Sequence, residues 1–220
     1  MVTRKKFDYE INHLKKDIGE MAEAVNETVH TMEALIKHPD VSQSKELVEH
    51  DKYINELQKN IETRCLSLLL KQQPVARDLR LVSTGLKVVT DLERIGDQCA
   101  DIAEITVLTK MDDLYTKLPH IASMLEHIVE MMEQLTAAVK NEDVELARET
   151  RQKDQKINAL FDKCKKDVVI LIKQDEENID YYLDFLMISK YLEKIGDHIK
   201  NVCEWIEFNE TGMIDNFKLV

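Results

Sequence analysis

Residues 91–104, DLERIGDQCADIAE, return one hundred positions later as residues 191–204, YLEKIGDHIKNVCE. Six of the fourteen positions are identical, among them Glu93/Glu193, Gly96/Gly196 and Asp97/Asp197. At 100° per helical residue, Glu93, Asp97, Asp101 and Glu104 fall within an arc of about 80°. Val88, Leu92, Ile95, Cys99 and Ile102 gather on the opposite side. The second copy repeats the pattern, with Glu193, Asp197, Asn201 and Glu204 on one arc and Ile188, Leu192, Ile195, Ile199 and Val202 on the other. Each copy therefore reads as an amphipathic helix whose carboxylate stripe faces away from its own core.

Around this repeat the punctuation is that of a long-helix protein. The chain has 220 residues with five Gly and three Pro, and a third of them are charged, which argues against a sheet protein. Phe7, Ile11, Leu14, Ile18, Met21, Val25, Met32 and Leu35 follow near-heptad steps and predict a helix over residues 4–37, ended by Pro39. Ser42 or Ser44 is expected to cap a second helix, which Pro74 breaks. A third spans residues 75–110 and carries the first stripe. A fourth runs from Ile121 to Val139, a fifth over residues 144–173, and a sixth, with the second stripe, over residues 179–208. Residues 141–143 and 175–178 read as the separating turns.

The halves match outside the stripes as well. DKYINEL at residues 51–57 pairs with DQKINAL at residues 154–160. The predicted fold is all-α, two tandem, pseudo-symmetric antiparallel three-helix bundles, with domains at residues 1–112 and 113–220. Short connections make neighbouring helices antiparallel. Asp51 is thus expected to approach Glu93 and Asp97, and Asp154 to approach Glu193 and Asp197.

A net charge of −12 argues against nucleic acid, which needs a basic face, and against a direct anionic-membrane partner. No apolar run reaches the ~20 residues of a membrane span, and the first residues lack a signal-peptide core. The expected location is cytoplasmic. Cys65, Cys99, Cys164 and Cys203 have no CxxC spacing and read as buried, reduced thiols.

Carboxylates stacked at i, i+4 and i+8 repel one another, and Arg94 and Lys194 lie roughly 100° round the helix from their acidic neighbours. A solvated acidic face is one reading. The other is a hard-cation site, since oxygen-only donors suit Mg²⁺, Mn²⁺, Ca²⁺ or iron. Gly96 and Gly196 read as points of close helix packing. Glu10/His13 and Glu27/His30 have ExxH spacing but share one helix, about 25 Å apart, and cannot form a di-iron site together. His198 reads as a packing or surface histidine.

At these residues the sequence resembles the PhoU family of phosphate-uptake regulators. The resemblance rests on QQPVARDLR at residues 72–80, on residues 91–103, and on the tandem ExxxD motifs Glu93–Asp97 and Glu193–Asp197. It implies two three-helix bundles with metal ions (Fe, Zn, Mn or Mg) on the acidic faces. The implied ligands are Glu93, Asp97, Asp101 and Asp51 in the first half and Glu193, Asp197, Asn201 and Asp154 in the second. It further implies a homodimeric negative regulator, not an enzyme, that couples a phosphate ABC transporter, through its ATPase subunit, to a membrane sensor histidine kinase. Asn201 stands where its counterpart is Asp101, so the two sites are expected to differ in charge. The second half lacks the PVARDLR element and has ENIDYYL at residues 177–183. The alternatives are a metal-free helical scaffold and a metal-dependent phosphatase, for which no base or phosphate-orienting Arg is readable.

Overall fold

The computed structural model describes residues 2–72, 74, 77–109, 114–214 and 217–218. α1 (Val2–Lys37), α2 (Val41–Gln72) and α3 (Arg77–Leu108) form the first three-helix unit. A short α4 (Leu114–Lys117) leads into α5 (Pro119–Asn141), α6 (Val144–Gln152), α7 (Asp154–Gln174) and α8 (Ile179–Thr211). Among the described residues the fold is all-α apart from a two-residue antiparallel pairing, β1 (Met213–Ile214) with β2 (Phe217–Lys218), that helical periodicity does not announce.

The heptad of α1 is its core face: Leu14, Met21, Val25, Met32 and Leu35 are fully buried. The cap of α2 differs from expectation. Asp40 accepts the Gln43 N–H at 2.8 Å, while Ser44 is buried and its hydroxyl pairs with that of Thr106 at 3.0 Å. The break at Gln73, both ends of the expected third helix at residues 75 and 110, and the domain boundary at residues 112–113 lie outside the described residues. Pro119 opens α5 at its first turn, as a residue without an N–H can. Glu142 takes the left-handed conformation (φ 53°) that ends this helix.

The expected continuous fifth helix is instead two. The Lys153 N–H bonds back to Thr150 O, an i−3 contact tighter than the α pattern, and the Thr150 hydroxyl donates to Leu146 O. Asp154 consequently opens α7, whereas its counterpart Asp51 lies within α2.

The two halves join along α3 and α8. Asp91 meets His198 and Asn201, Asp101 meets Tyr191, Lys87 lies over the Trp205 ring and Thr109 bonds Asp184. The paired numbers rise on one helix as they fall on the other, so the helices run antiparallel along their length. Exchanging the halves, 91 for 191 and 201 for 101, turns the Asp91–Asn201 pair into the Tyr191–Asp101 pair, which makes the seam pseudo-two-fold. α1 and α5 cross beside it, tied by Lys15–Glu142 at 2.7 Å, His30–Glu133 at 3.2 Å and Glu23–Lys140. At the far end Arg80 donates from Nε to Asn209 O at 2.8 Å and from Nη2 to Glu210 O at 3.4 Å, satisfying carbonyls at the end of α8. Arg80, from the start of α3, thus braces the last turn of α8.

α2 and α7 cover α3 and α8 from outside. A Cβ on Gly96 would stand 3.3 Å from Ile54 Cγ2 and 3.6 Å from Asp51 Oδ1. One on Gly196 would stand 3.3 Å from both Asp154 Oδ1 and Ile157 Cγ2. The glycines therefore allow the close approach that brings each aspartate in beside its stripe. Gly196→Val is expected to lower unfolding free energy by about 1–3 kcal/mol through overpacking; urea denaturation of the two proteins checks this.

Candidate metal centre

In the first half, Glu93, Asp97 and Asp101 come from one face of α3 and Asp51 from α2. Asp51 Oδ2 accepts Asn55 Nδ2 at 2.7 Å, and its Oδ1 is buried without a hydrogen bond. Glu93 is only 9% exposed, and its Oε2 likewise has no hydrogen bond. The stripe thus departs from the outward-facing surface expected of it, because α2 lies over it. Arg94 reaches along the helix to Asp97 Oδ2 at 2.9 Å and stands 3.5 Å from Glu93 Oε2.

The second half repeats the frame. Asp154 is 2% exposed; its Oδ2 accepts Asn158 Nδ2 at 2.9 Å, and its Oδ1 has no hydrogen bond. Lys190 and Lys194 hold Glu193 Oε2 at 2.6 and 3.4 Å, and Lys194 also holds Asp197 Oδ2 at 2.6 Å. The angular offset that set Arg94 and Lys194 apart from the stripes is overcome by side-chain length. A flexible cation at i bends onto the carboxylate at i+3.

Burial, reinforced by the Asp97 charge, pushes the carboxyls of Asp51, Glu93 and Asp101 above their ordinary values. Burial and then the Asp197 charge do the same to Asp154. Desolvation and like charge both penalise the ionised form, and a multivalent cation is one remedy for both.

Asp101 and Asn201 stand on the seam, and Asp101 still feels the charge of Asp51 on the covering helix. Asp101 takes the Tyr191 hydroxyl, and Asn201 Nδ2 donates to Asp91 Oδ1 at 3.1 Å. Asn201 faces a carboxylate that His198 Nδ1 also contacts at 2.8 Å, so an amide here donates where a second carboxylate would repel. Sequence reasoning missed Asn55 and Asn158, although each stands four residues after its aspartate in both copies. It also missed the seam role of Asp91 and Tyr191, which no spacing signals. Glu10 and Glu27, with His13 and His30, assemble no site: Glu10 pairs with Arg64 at 3.1 Å and His30 with Glu133.

Fitness for a metal ion divides as follows. The donors are hard oxygens, and Asp51 Oδ1, Glu93 Oε2 and Asp154 Oδ1 are buried without hydrogen bonds, as ligand atoms awaiting a cation would be. Among the described residues, however, no three His, Cys, Asp or Glu side chains gather closely enough to hold an ion as they stand. Arg94 and Lys194 occupy the aspartates instead. The four cysteines do not contribute; all are free and buried, and burial pushes Cys65, Cys164 and Cys203 up to about 12.

The PhoU domain profile matches this chain twice, over residues 18–106 and 121–206, once around each stripe. The chain belongs to the PhoU family. It is similar to a Clostridium acetobutylicum protein named as a phosphate-specific transport system accessory protein PhoU homolog, with 30% identity over 96% of this chain and 97% of that one. The crystal structure of PhoU from Pseudomonas aeruginosa superimposes with a TM-score of 0.87 at 26% identity, covering 94% of this chain and all of the other. The phosphate transport system regulatory protein PhoU from Streptococcus pneumoniae gives 0.86 at 28%, covering 95% and 99%. Such likeness over nearly the full length of this PhoU-family chain places its fold and its paired motifs in that family.

A carboxyl raised above its unfolded value binds its proton more readily in the fold. Its ionised form therefore destabilises, by nothing below the unfolded pKa and fully above the folded one. Glu93→Gln, measured without metal, is expected to raise Tm at neutral pH by about 2–4 °C per kcal/mol of relieved penalty. The gain should vanish as pH falls through the carboxylate range, which calorimetry at several pH values would show.

Proposed function

We propose that this chain is a regulatory adaptor of phosphate uptake, docking a phosphate ABC transporter through its ATPase subunit and a membrane sensor histidine kinase. In this reading it holds the phosphate-starvation response off when phosphate is plentiful, and it acts as a homodimer. The observation that carries the proposal is the full-length likeness to proteins named as phosphate transport accessories, with one ExxxD helix in each half. No helix among the described residues is long and apolar enough to cross a membrane, so contact with membrane components would run through protein partners.

Within the proposal, Asp51, Glu93, Asp97 and Asp101 hold a hard metal ion in the first half. When bound, the ion supplies positive charge that offsets carboxylate desolvation and repulsion. The chain's own part is to present these oxygens between α2 and α3, with Asn55 fixing Asp51 and Gly96 allowing the approach. Neutral stripes favour α2 closed on α3; unneutralised ones favour loosening, which changes the surface offered to partners. A metal-free helical scaffold is the second reading, favoured by the Arg94 and Lys194 pairs that already sit on the aspartates.

The regulatory proposal is tested by deleting the gene and following a phosphate-starvation reporter in high phosphate. Derepression, reversed by the wild-type gene and only weakly by a Glu93→Gln/Asp97→Asn variant, is the expected result. A reporter that stays repressed would overturn the adaptor reading. Full complementation by the double variant would favour the scaffold.

A further inference from the structure

We infer that the cavity between the two halves is a binding site for a small, uncharged, mostly apolar molecule that carries a hydrogen-bond donor. The cavity measures about 430 Å³ where α1, α3, α5 and α8 meet, a size that suits small-molecule ligands. Ile18, Leu81, Val88, Val139, Val144 and Ile206 make its apolar wall, and Gly19 and Gly85 line it without side chains. Among the described residues α2 and α7, which carry Asp51 and Asp154, contribute nothing to its lining. The site is therefore separate from the carboxylate stripes and independent of the cation reading.

The internal repeat supplies the comparison. Across the pseudo-two-fold seam, Tyr181, Asp184 and Phe185 stand where the first half has Leu81, Thr84 and Gly85. Phe185 is fully buried and its ring centre lies 4.3 Å from that of Tyr181, so aromatic rings fill that side. There the Asp184 carboxylate also accepts the Thr109 hydroxyl. Exchanging the halves turns that pair into Thr84 and Asn209, and both of these line the cavity. Here the bond is missing. Thr84 Oγ1 and Asn209 Oδ1 are buried, and neither has a hydrogen bond.

Thr84 is only 7% exposed, and burying a hydroxyl without a partner is costly. Thr28, Thr90 and Thr136 avoid that cost by returning their hydroxyls to the carbonyl four residues back. The corresponding carbonyl for Thr84 is that of Arg80, which takes the Ser83 hydroxyl at 2.9 Å instead. Two unpartnered oxygens, one from α3 and one from α8, fit a ligand whose donor reaches Asn209 while the Thr84 hydroxyl donates or accepts beside it. The rim sets the charge of the occupant. Lys15 holds Glu142 at 2.7 Å, Lys16 holds Glu20 at 2.9 Å and Lys140 holds Glu23, while Glu210 adds a fourth carboxylate. An anion thus meets ammonium groups that are already paired, and the apolar wall has no carboxylate to offset a buried cation. An occupant held between α3 and α8 ties the halves together, which gives the adaptor proposed above a small-molecule input.

The test titrates the full chain, without added metal, with phenylnaphthylamine, an uncharged apolar fluorophore bearing one N–H. Saturable binding at one site per chain, with a rise in Tm, is the expected result. Anilinonaphthalene sulfonate, which has similar rings plus a sulfonate, should bind at least about tenfold more weakly. Gly19→Leu should fill the cavity, because a Cβ there meets only Lys140 Cγ, at 3.7 Å, and should cut phenylnaphthylamine affinity by about tenfold or more without lowering Tm. Asn209→Leu, which removes the acceptor, should weaken binding by about three- to tenfold. That variant carries the test if circular dichroism shows Gly19→Leu to be misfolded. Absence of saturable binding, equal binding of the sulfonate, or affinity unchanged in the well-folded variants would overturn the inference.

Discussion

The antiparallel crossing of α3 and α8 is the constraint on which the rest depends. These two helices carry the repeated motif, and they bury Leu92 and Ile95 against one half and Leu192 and Ile195 against the other. Once they are paired in a register that sets Asp91 against Asn201 and Asp101 against Tyr191, the remaining helices have few choices. α1 and α5 must cross beside the seam, and α2 and α7 must cover the outer faces. A one-turn slip of the register would pull Asp91 from its hydrogen-bonding partners, so polar pairs specify the alignment that the apolar stripes drive.

The covering helices create the chemistry. A stripe of carboxylates on an isolated helix would be an ordinary solvated face. Here α2 and α7 approach closely over Gly96 and Gly196, each bringing one more carboxylate and removing water from those already there. Burial without compensation is costly, and the chain answers part of it with cations of its own, Arg94 in the first half and Lys190 and Lys194 in the second. Duplication followed by unequal substitution has turned equivalent scaffolds into two different electrostatic environments.

Much of this was legible before folding. Heptad spacing predicted α1, proline marked the starts and ends of helices, and the glycine before each aspartate pointed to a close approach. Antiparallel connectivity alone put Asp51 near Glu93 and Asp154 near Glu193. What spacing could not show was reach. Arg94 and Lys194, placed off the stripe by angle, fold onto it because their side chains are long. Nor could it show the break at Lys153 or the cap at Asp40, both set by local hydrogen bonds that leave hydrophobic periodicity untouched.

By itself the sequence determined the helices, their duplication and the identity of the acidic residues, because periodicity and repetition are local and survive in one dimension. Only the tertiary structure decided which carboxylates lose their water, which meet a lysine and which are spent on the seam. Those outcomes depend on helices brought together from one hundred residues apart. It is this long-range packing that separates Asp101 and Asn201, drawn to the seam, from Glu93 and Asp154, buried without a full set of partners.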